Sequence, residues 1–342
     1  MKKVIIAMSG GVDSSAAAKL IKKEYSDALG VTLKLTDVEN SDLEDAKKTA
    51  DTVGISHKIV DMREEFKKYV IDEFVSAYEK ALTPNPCIFC NKHIKFGLLH
   101  DIAKDMGYDI IATGHYSIIE EQNGRYLLKK AKDLTKDQSY VLWTLTQEQL
   151  AHTLFPLGNL TKAEVREMAI KSSFENAAKK ESQDICFVPD GDYAKFIREY
   201  TGKDFKCGNF VDSDGNVLGE HKGIIKYTIG QRKGLGLSFD SPRYVCSKCA
   251  QSNTVVLGKE PLLFSKSLDC TDLNLIAYDK LDAPIKIKAK TRYKQIEAEA
   301  TITQTSETTA HIEFDSPLRA ITPGQSVVFY DGDYVVGGGI IK

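Results

Sequence analysis

Apolar and polar positions change rhythm twice along this chain of 342 residues. In the first third, short apolar runs alternate with longer amphipathic stretches. The runs at 4–8, 28–34, 58–61 and 109–113 predict buried β-strands, and 14–23, 43–53, 65–80 and 91–106 carry amphipathic helical spacing. That alternation predicts an α/β fold: a doubly wound parallel sheet with helices on both faces, binding ligands at the carboxyl ends of its strands. Next, Ser117-Ile118-Ile119 and Tyr126-Leu127-Leu128 flank Asn123-Gly124, a hairpin signature. From Gln147 to about Tyr200 the pattern reads as helical, punctuated by Pro156, Gly158 and Thr161, with Thr161-Lys162-Ala163-Glu164 as a capping box. From about Lys206 it turns to short alternating strands with glycine turns, at 223–229, 254–257, 285–291, 298–303, 310–314, 326–330 and 334–341. These predict one or two small antiparallel β-barrels. The expected division is 1–155, a small helical adaptor at 156–205, and a β-barrel region at 206–342. No low-complexity tract or internal repeat interrupts it.

Composition narrows this picture modestly. Hydrophobic content of 42% and charged content of 27% are those of an ordinary globular protein. The net charge of −2 gives no global field toward nucleic acid, so any such binding uses local basic patches. Lys129, Lys130, Lys132 and Lys136 form one candidate patch, and Lys286, Lys288 and Lys290 share a face of a predicted strand. No apolar stretch is long enough to span a membrane, and no export signal opens the chain. The expectation is a cytoplasmic protein whose seven cysteines are reduced, free for catalysis, redox work or metal binding.

The densest chemistry lies at Ser9-Gly10-Gly11-Val12-Asp13-Ser14-Ser15, where the first predicted strand turns into a helix. Such a turn aims free backbone N–H groups and the positive helix end at an anion. Gly10 and Gly11 permit close backbone approach, Ser9, Ser14 and Ser15 add hydroxyl donors, and Asp13 suits a metal ion or phosphate handling. No Gly-Lys-Ser/Thr follows, so this is not a Walker A loop. Thr113-Gly114-His115 ends another strand and belongs to the same expected crevice. Thr83-Pro84-Asn85-Pro86-Cys87-Ile88-Phe89-Cys90-Asn91 presents a C-x-x-C pair before a helix, near the positive end that favours thiolate. A third cysteine follows in Glu181-Ser182-Gln183-Asp184-Ile185-Cys186-Phe187. Cys246 and Cys249 form a second pair, either a surface redox pair or a local metal clip, and a zinc site shared with the first pair is not expected. Cys207 and Cys270 read as buried or half-buried small side chains.

The glycine turn resembles the pyrophosphate loop of the N-type ATP pyrophosphatases. Essentially end to end, the chain resembles the MnmA-type tRNA-specific 2-thiouridylases. The resemblance rests on residues 7–14, Asn85-Pro86-Cys87 with Cys90-Asn91 and Ile94-Lys95-Phe96, Thr113-Gly114-His115-Tyr116, Lys136-Asp137-Gln138-Ser139-Tyr140 and Ser182–Phe187. It continues through residues 227–236, Arg292-Tyr293 and Pro323-Gly324-Gln325. It implies ATP- and Mg2+-dependent adenylation of the C2 oxygen of the wobble uridine in the tRNA anticodon stem-loop. Sulfur then replaces oxygen, releasing AMP and pyrophosphate. It implies Cys90 as nucleophile and Cys186 as persulfide carrier, fed by a sulfur donor such as a cysteine desulfurase or relay protein. ATP contacts fall on Ala7, Met8, Ser9, Gly10, Gly11, Val12, Asp13, Ser14, Leu33 and Gly114. Contacts to tRNA fall on Asn85, Pro86, Cys87, His115, Lys136, Asp137, Gln138, Arg292, Tyr293 and Gln325. Family members carry Asp or Cys at position 87, and with Cys there, Cys87, Cys90 and Cys186 also suit a 4Fe-4S cluster with one open iron. Two other readings stand beside it: an amide-forming ATP pyrophosphatase, and a non-catalytic tRNA-binding module.

Overall fold

The computed structural model describes residues 2–37, 41–179 and 185–342. Strands β1 (Val4–Ala7), β2 (Ala28–Lys34), β3 (Ser56–Asp61) and β4 (Ile110–Ala112) form where the apolar runs predict them. The hairpin follows as β5 (Ile118–Gln122) and β6 (Arg125–Lys129), its turn carried by Asn123 and Gly124 at φ 54° and 77°. A two-residue strand, β7 (Thr153–Leu154), completes an all-parallel sheet in the order β3-β2-β1-β4-β7. The chain winds outward from β1 to β3, then resumes on the other side at β4. The crevice where such a sheet binds ligand therefore lies between the ends of β1 and β4. Helices α1 (Val12–Glu24) and α2 (Ser41–Val53) pack with the sheet through Val4, Ile6, Ala18, Ile21, Ala46 and Ala50.

The stretch from 147 to 200 departs from its helical reading. It breaks into helices Gln147–Ala151, Lys162–Lys171 and Tyr193–Thr201, a short turn at Glu175–Ala178, and β7. β7 is too short to leave a periodic signature, and its pairing with β4 is long-range. The capping box does form: Glu164 N donates to Thr161 Oγ1 at 3.3 Å, and Thr161 N donates to Glu164 Oε2 at 2.6 Å.

The β region holds two sheets. β8 (Gly208–Val211), β9 (Val217–His221), β10 (Tyr244–Cys249) and β11 (Thr254–Gly258) form one in the order β10-β11-β8-β9. It is not wholly antiparallel, because β11 runs parallel to β8. The segment 223–229, expected as a strand, is instead a turn at Ile224–Lys226, entered through Gly223 at φ 96°. β12 (Phe264–Leu275), β13 (Ile285–Lys290), β14 (Ala298–Ser306), β15 (Thr309–Arg319), β16 (Ser326–Asp331) and β17 (Tyr334–Ile341) close an antiparallel six-stranded barrel through the β12–β17 pairing. β6 pairs with β17, so the hairpin extends the barrel's wall.

One helical run, residues 86–105, ties these parts together. Leu99 and Ala103 pack with Ile5 and Val31 of the parallel sheet. Cys90 and Ile94 join a core that includes Phe74, Phe187, Phe210 and Val245. Ile88 and Phe96 join Leu128, Trp143, Val328 and Tyr330, a core shared with the hairpin and the barrel.

Candidate active site

The phosphate cradle is a consequence of the first strand–helix corner. Gly10 takes φ 72°, and the backbone of Asp42 stands where its Cβ would be. Gly11 caps α1 with no side chain bonded to the first turn, leaving N–H groups directed at the crevice. Ser14 Oγ donates to Gly11 O at 2.9 Å and accepts from Ser9 N at 3.2 Å. Asn176 braces the loop, donating from Nδ2 to Gly10 O at 2.8 Å and to Ser15 Oγ at 2.9 Å. Ser15 corrects an expectation: it is fully buried, bonds Gly11 O and Thr49, and does not face the crevice. Gly114, after β4, packs against this loop, where a Cβ would stand 2.9 Å from backbone atoms of Asp13 and Ser14.

Between the two strand ends lies a cavity of about 260 Å³. Of the expected ATP residues, Ala7, Met8, Ser9, Asp13, Ser14, Leu33 and Gly114 line it. His115 and Gln138, expected as tRNA contacts, line it as well, and Gly10, Gly11 and Val12 lie behind the wall. The sequence reading left Val31, Leu35, Lys95 and Thr113 without roles, and these also line it. Val31, Leu33 and Leu35 make an apolar wall suited to an aromatic base.

Asp13 Oδ1 accepts from Tyr116 OH at 2.7 Å and from Lys162 Nζ at 2.7 Å. Lys162, whose side chain is 8% exposed, holds this carboxylate from the helix Lys162–Lys171. Its position after Thr161 was legible, but its partner in the first loop was not. Among the described residues, Asp13 is the one carboxylate lining the cavity. Mg2+ is usually held by one or two carboxylates plus phosphate oxygens, so Asp13 is the residue that would hold it and help neutralise phosphate charge. His115 Nδ1 lies 2.7 Å from Thr113 Oγ1, and its ring sits 5.7 Å from Phe96 and 5.9 Å from Phe155. Burial, with Lys95 nearby, drives its pKa well below the usual histidine value, so it is neutral.

Cys87, Cys90 and Cys186 lie near enough to influence one another, outside the lining of this cavity. Asn85 caps the helix that begins at Pro86, its Oδ1 accepting from Cys87 N at 3.2 Å, and Cys87 is exposed. Cys90 is buried. Burial pushes its thiol up to about 11, opposed by Lys95 and reinforced by Cys186 and Cys87. Burial thus opposes the thiolate that the helix end favours. Cys186 presents an exposed residue surface, yet its sulfur is desolvated enough to raise its pKa, and Cys87 raises it further. Ser182, Gln183 and Asp184 lie outside the described residues. Among the described residues, no three His, Cys, Asp or Glu side chains converge to hold a metal ion.

The remaining expected tRNA residues knit the barrel to the first domain. Gln325 Nε2 donates to Thr83 O at 2.7 Å, and Thr83 N donates to Pro323 O at 2.9 Å, docking the barrel on the loop before Pro86. Tyr293 OH donates to Asp137 O at 2.9 Å. The Asp137 carboxylate accepts from Ala131 N, Ser139 N and Ser139 Oγ, and burial raises its pKa. Arg292 donates to Ile229 O, Ala320 O and Thr322 Oγ1. Gln138 accepts from Tyr116 N, and Lys136 is partly exposed nearby. In the candidate basic patches, Lys129, Lys130 and Lys132 pair with Glu120, Glu297 and Glu164, and Lys286 and Lys288 pair with Asp315 and Glu299. Away from the cavity, Cys246 donates to Tyr244 O and Cys249 to Gln251 Oε1, and nothing in the structure assigns them a role. Cys270 is buried as expected, whereas Cys207 is exposed because it sits just ahead of β8, before the sheet covers the chain.

Fold and site together define a HUP-type nucleotide-binding domain followed by two β domains. The family described as tRNA methyl transferase HUP domain matches residues 2–190. The tRNA methyl transferase PRC-barrel domain matches 194–259, and the aminomethyltransferase beta-barrel domain matches 265–341. The chain is 49% identical to the tRNA-specific 2-thiouridylase MnmA of Acetivibrio thermocellus, over 100% of this chain and 99% of that protein. It is 49% identical to the tRNA-specific 2-thiouridylase MnmA of Clostridioides difficile, over 100% and 98%. Among solved structures it is similar to NMN synthetase from Francisella tularensis, at 16% identity and TM-score 0.35, covering 60% of this chain and 79% of that one. The chain belongs to the family of MnmA-type tRNA-specific 2-thiouridylases and is an enzyme of the tRNA sulfurtransferase class.

Proposed function

We propose that this enzyme activates the C2 oxygen of a tRNA wobble uridine with ATP and replaces it with sulfur carried on Cys186 and Cys90. The observation that carries this reading is a phosphate cradle opening on a cavity that Lys95 lines, with three mutually interacting thiols near that lysine. ATP places its phosphates on the α1 N-terminus, Ser9 and Ser14, with its base against Val31, Leu33 and Leu35. Asp13 is the carboxylate available to magnesium. The wobble base leaves the anticodon stack to enter, as base-modifying enzymes require. Attack of the uridine O2 on the α-phosphorus releases pyrophosphate and leaves AMP joined to the base. A persulfide sulfur then attacks C2. The C–S bond forms, the C–O bond breaks, and its electron pair departs with AMP; the Cys90 sulfur then attacks the Cys186 sulfur, the S–S bond breaks with its electron pair on the sulfur now bonded to C2, and a Cys90–Cys186 disulfide is left for an external thiol to reduce. Because the Cys90 thiol is protonated at neutral pH, a proton must leave it when it acts.

The test is ATP-dependent thiolation of unmodified tRNA by protein purified without oxygen, read beside its iron and acid-labile sulfide content. Iron-free protein given a persulfide donor is expected to make 2-thiouridine, AMP and pyrophosphate. Thiolation only by iron-loaded protein overturns the persulfide route in favour of Cys87, Cys90 and Cys186 as cluster ligands. No 2-thiouridine under either condition overturns the reading itself.

A further inference from the structure

Among the described residues, Lys95 is the only lysine or arginine lining the cavity. Among the described residues it makes no hydrogen bond or ion pair, unlike Lys162 across the loop. Its direction follows from a local departure in the helix. In an ordinary α-helix, five residues sweep about 500°, which would leave Cys90 and Lys95 about 140° apart. From Cys90 to Leu98 the helix is widened to an i→i+5 pattern, a geometry frequent at functional sites. Residues five apart then stand much closer to one line along the helix. Gly97 allows the widening, since a Cβ there would lie 2.9 Å from Lys92 O, five residues earlier. Lys95 thus reaches the cavity from the same side of the helix as Cys90. Its charge acts on Cys90, Cys186 and His115 together, and Cys186 and Cys87 are the other groups that act on Cys90.

We propose that Lys95 is a counter-ion shared by the two halves of the reaction, meeting the phosphate that joins AMP to the activated base and, one helical turn away, the sulfur anion at Cys90. This rests on the function proposed above. When the C2–O bond breaks, its electron pair moves onto the departing phosphate, which gains a negative charge while the attacking sulfur loses one. A fixed cation between them meets charge throughout the transfer and needs no reorganisation.

The test uses Lys95→Gln and Lys95→Arg in the full chain, with Lys95→Met as a second neutral variant should the first fail to fold. In protein free of ATP and tRNA, Cys90 alkylation by iodoacetamide at about pH 8, followed by peptide mass spectrometry, reports its thiolate fraction. The neutral variants are expected to react about threefold more slowly, and Lys95→Arg close to the parent. Single-turnover formation of 2-thiouridine is expected to slow about tenfold or more in the neutral variants and to be largely kept in Lys95→Arg. Unchanged alkylation of Cys90 overturns the proposal, as does unchanged thiolation. A parent protein that makes no 2-thiouridine defeats the proposed function instead, and that failure is visible without any variant.

Discussion

The phosphate cradle and the neighbouring thiol site are made by opposite means. The cradle is backbone and short hydroxyls from one contiguous stretch, closed by Gly114 and braced by Asn176. The thiol site is a helix held among three apolar cores, with a third sulfur brought in from far along the chain. Beyond its own strand and helix, the cradle draws on only a few distant residues, Gly114, Lys162 and Asn176. The thiol site exists only when both β domains are docked. Their electrostatics differ in the same sense: Asp13 is neutralised by a dedicated lysine, whereas Cys90 is buried against its own ionisation.

The largest expected effect breaks the cradle alone. Asp13→Ala should cut AMP formation about a hundredfold while tRNA binding stays within about twofold. It also removes the carboxylate partner of the buried Lys162, at a cost of about 1–2 kcal/mol given the partial exposure of Asp13. Adding Lys162→Met should restore the melting temperature but not AMP formation. Unimpaired AMP formation in Asp13→Ala would remove the assignment. Next, Cys90→Ser should abolish thiolation yet keep AMP formation within about fivefold, because only the sulfur step needs it. A collapse of AMP formation in that variant would mean the two regions are not separable. A smaller effect tests the docking of the barrel. Gly324 sits at φ 88° with Thr83 N 2.8 Å from where a Cβ would be, so Gly324→Ala should slow sulfur transfer about three- to tenfold and spare ATP binding. Equal loss of both would place the barrel's influence at the cradle.

The smallest effect is on stability against pH. His115, His57, His93 and His221 all have pKa values lowered by burial. The unfolded chain therefore takes up protons first as pH drops below about 6.5, so stability is full above that value and lost beneath it. The melting temperature should fall between about pH 7.5 and 5.5, and His115→Gln should flatten that slope. A melting temperature that rises on acidification would contradict the buried, neutral placement of these rings.

What the sequence disclosed divides along the same line. The glycine turn, the hairpin at Asn123-Gly124 and the capping box at Thr161 were legible because each is complete within a few residues. β7 was not, since two residues carry no period. The parallel pairing of β11 with β8 was not, because alternation reports a face and not a partner. Lys162 was legible as a helix residue but not as the partner of Asp13, which lies 149 positions away. Lys95 was part of a matched stretch, yet its direction depends on a widened helical turn that hydrophobic spacing does not report. Ser15 was misassigned because three neighbouring hydroxyls look alike until one of them is buried against Thr49.

The tie between the hairpin and the barrel also sets an order of events during synthesis. Trp143 Nε1 donates to Ser326 Oγ, and Tyr140 OH donates to Ser326 O, across 183 and 186 positions. At ~5–20 residues per second, a ribosome delivers Ser326 roughly 10–40 s after Trp143. Throughout that interval the largest apolar side chains of the shared core have no cover from the strands that will bury them. The nascent chain therefore carries a sticky, half-built catalytic helix until its last strands emerge, and that interval is when it most needs a chaperone's protection.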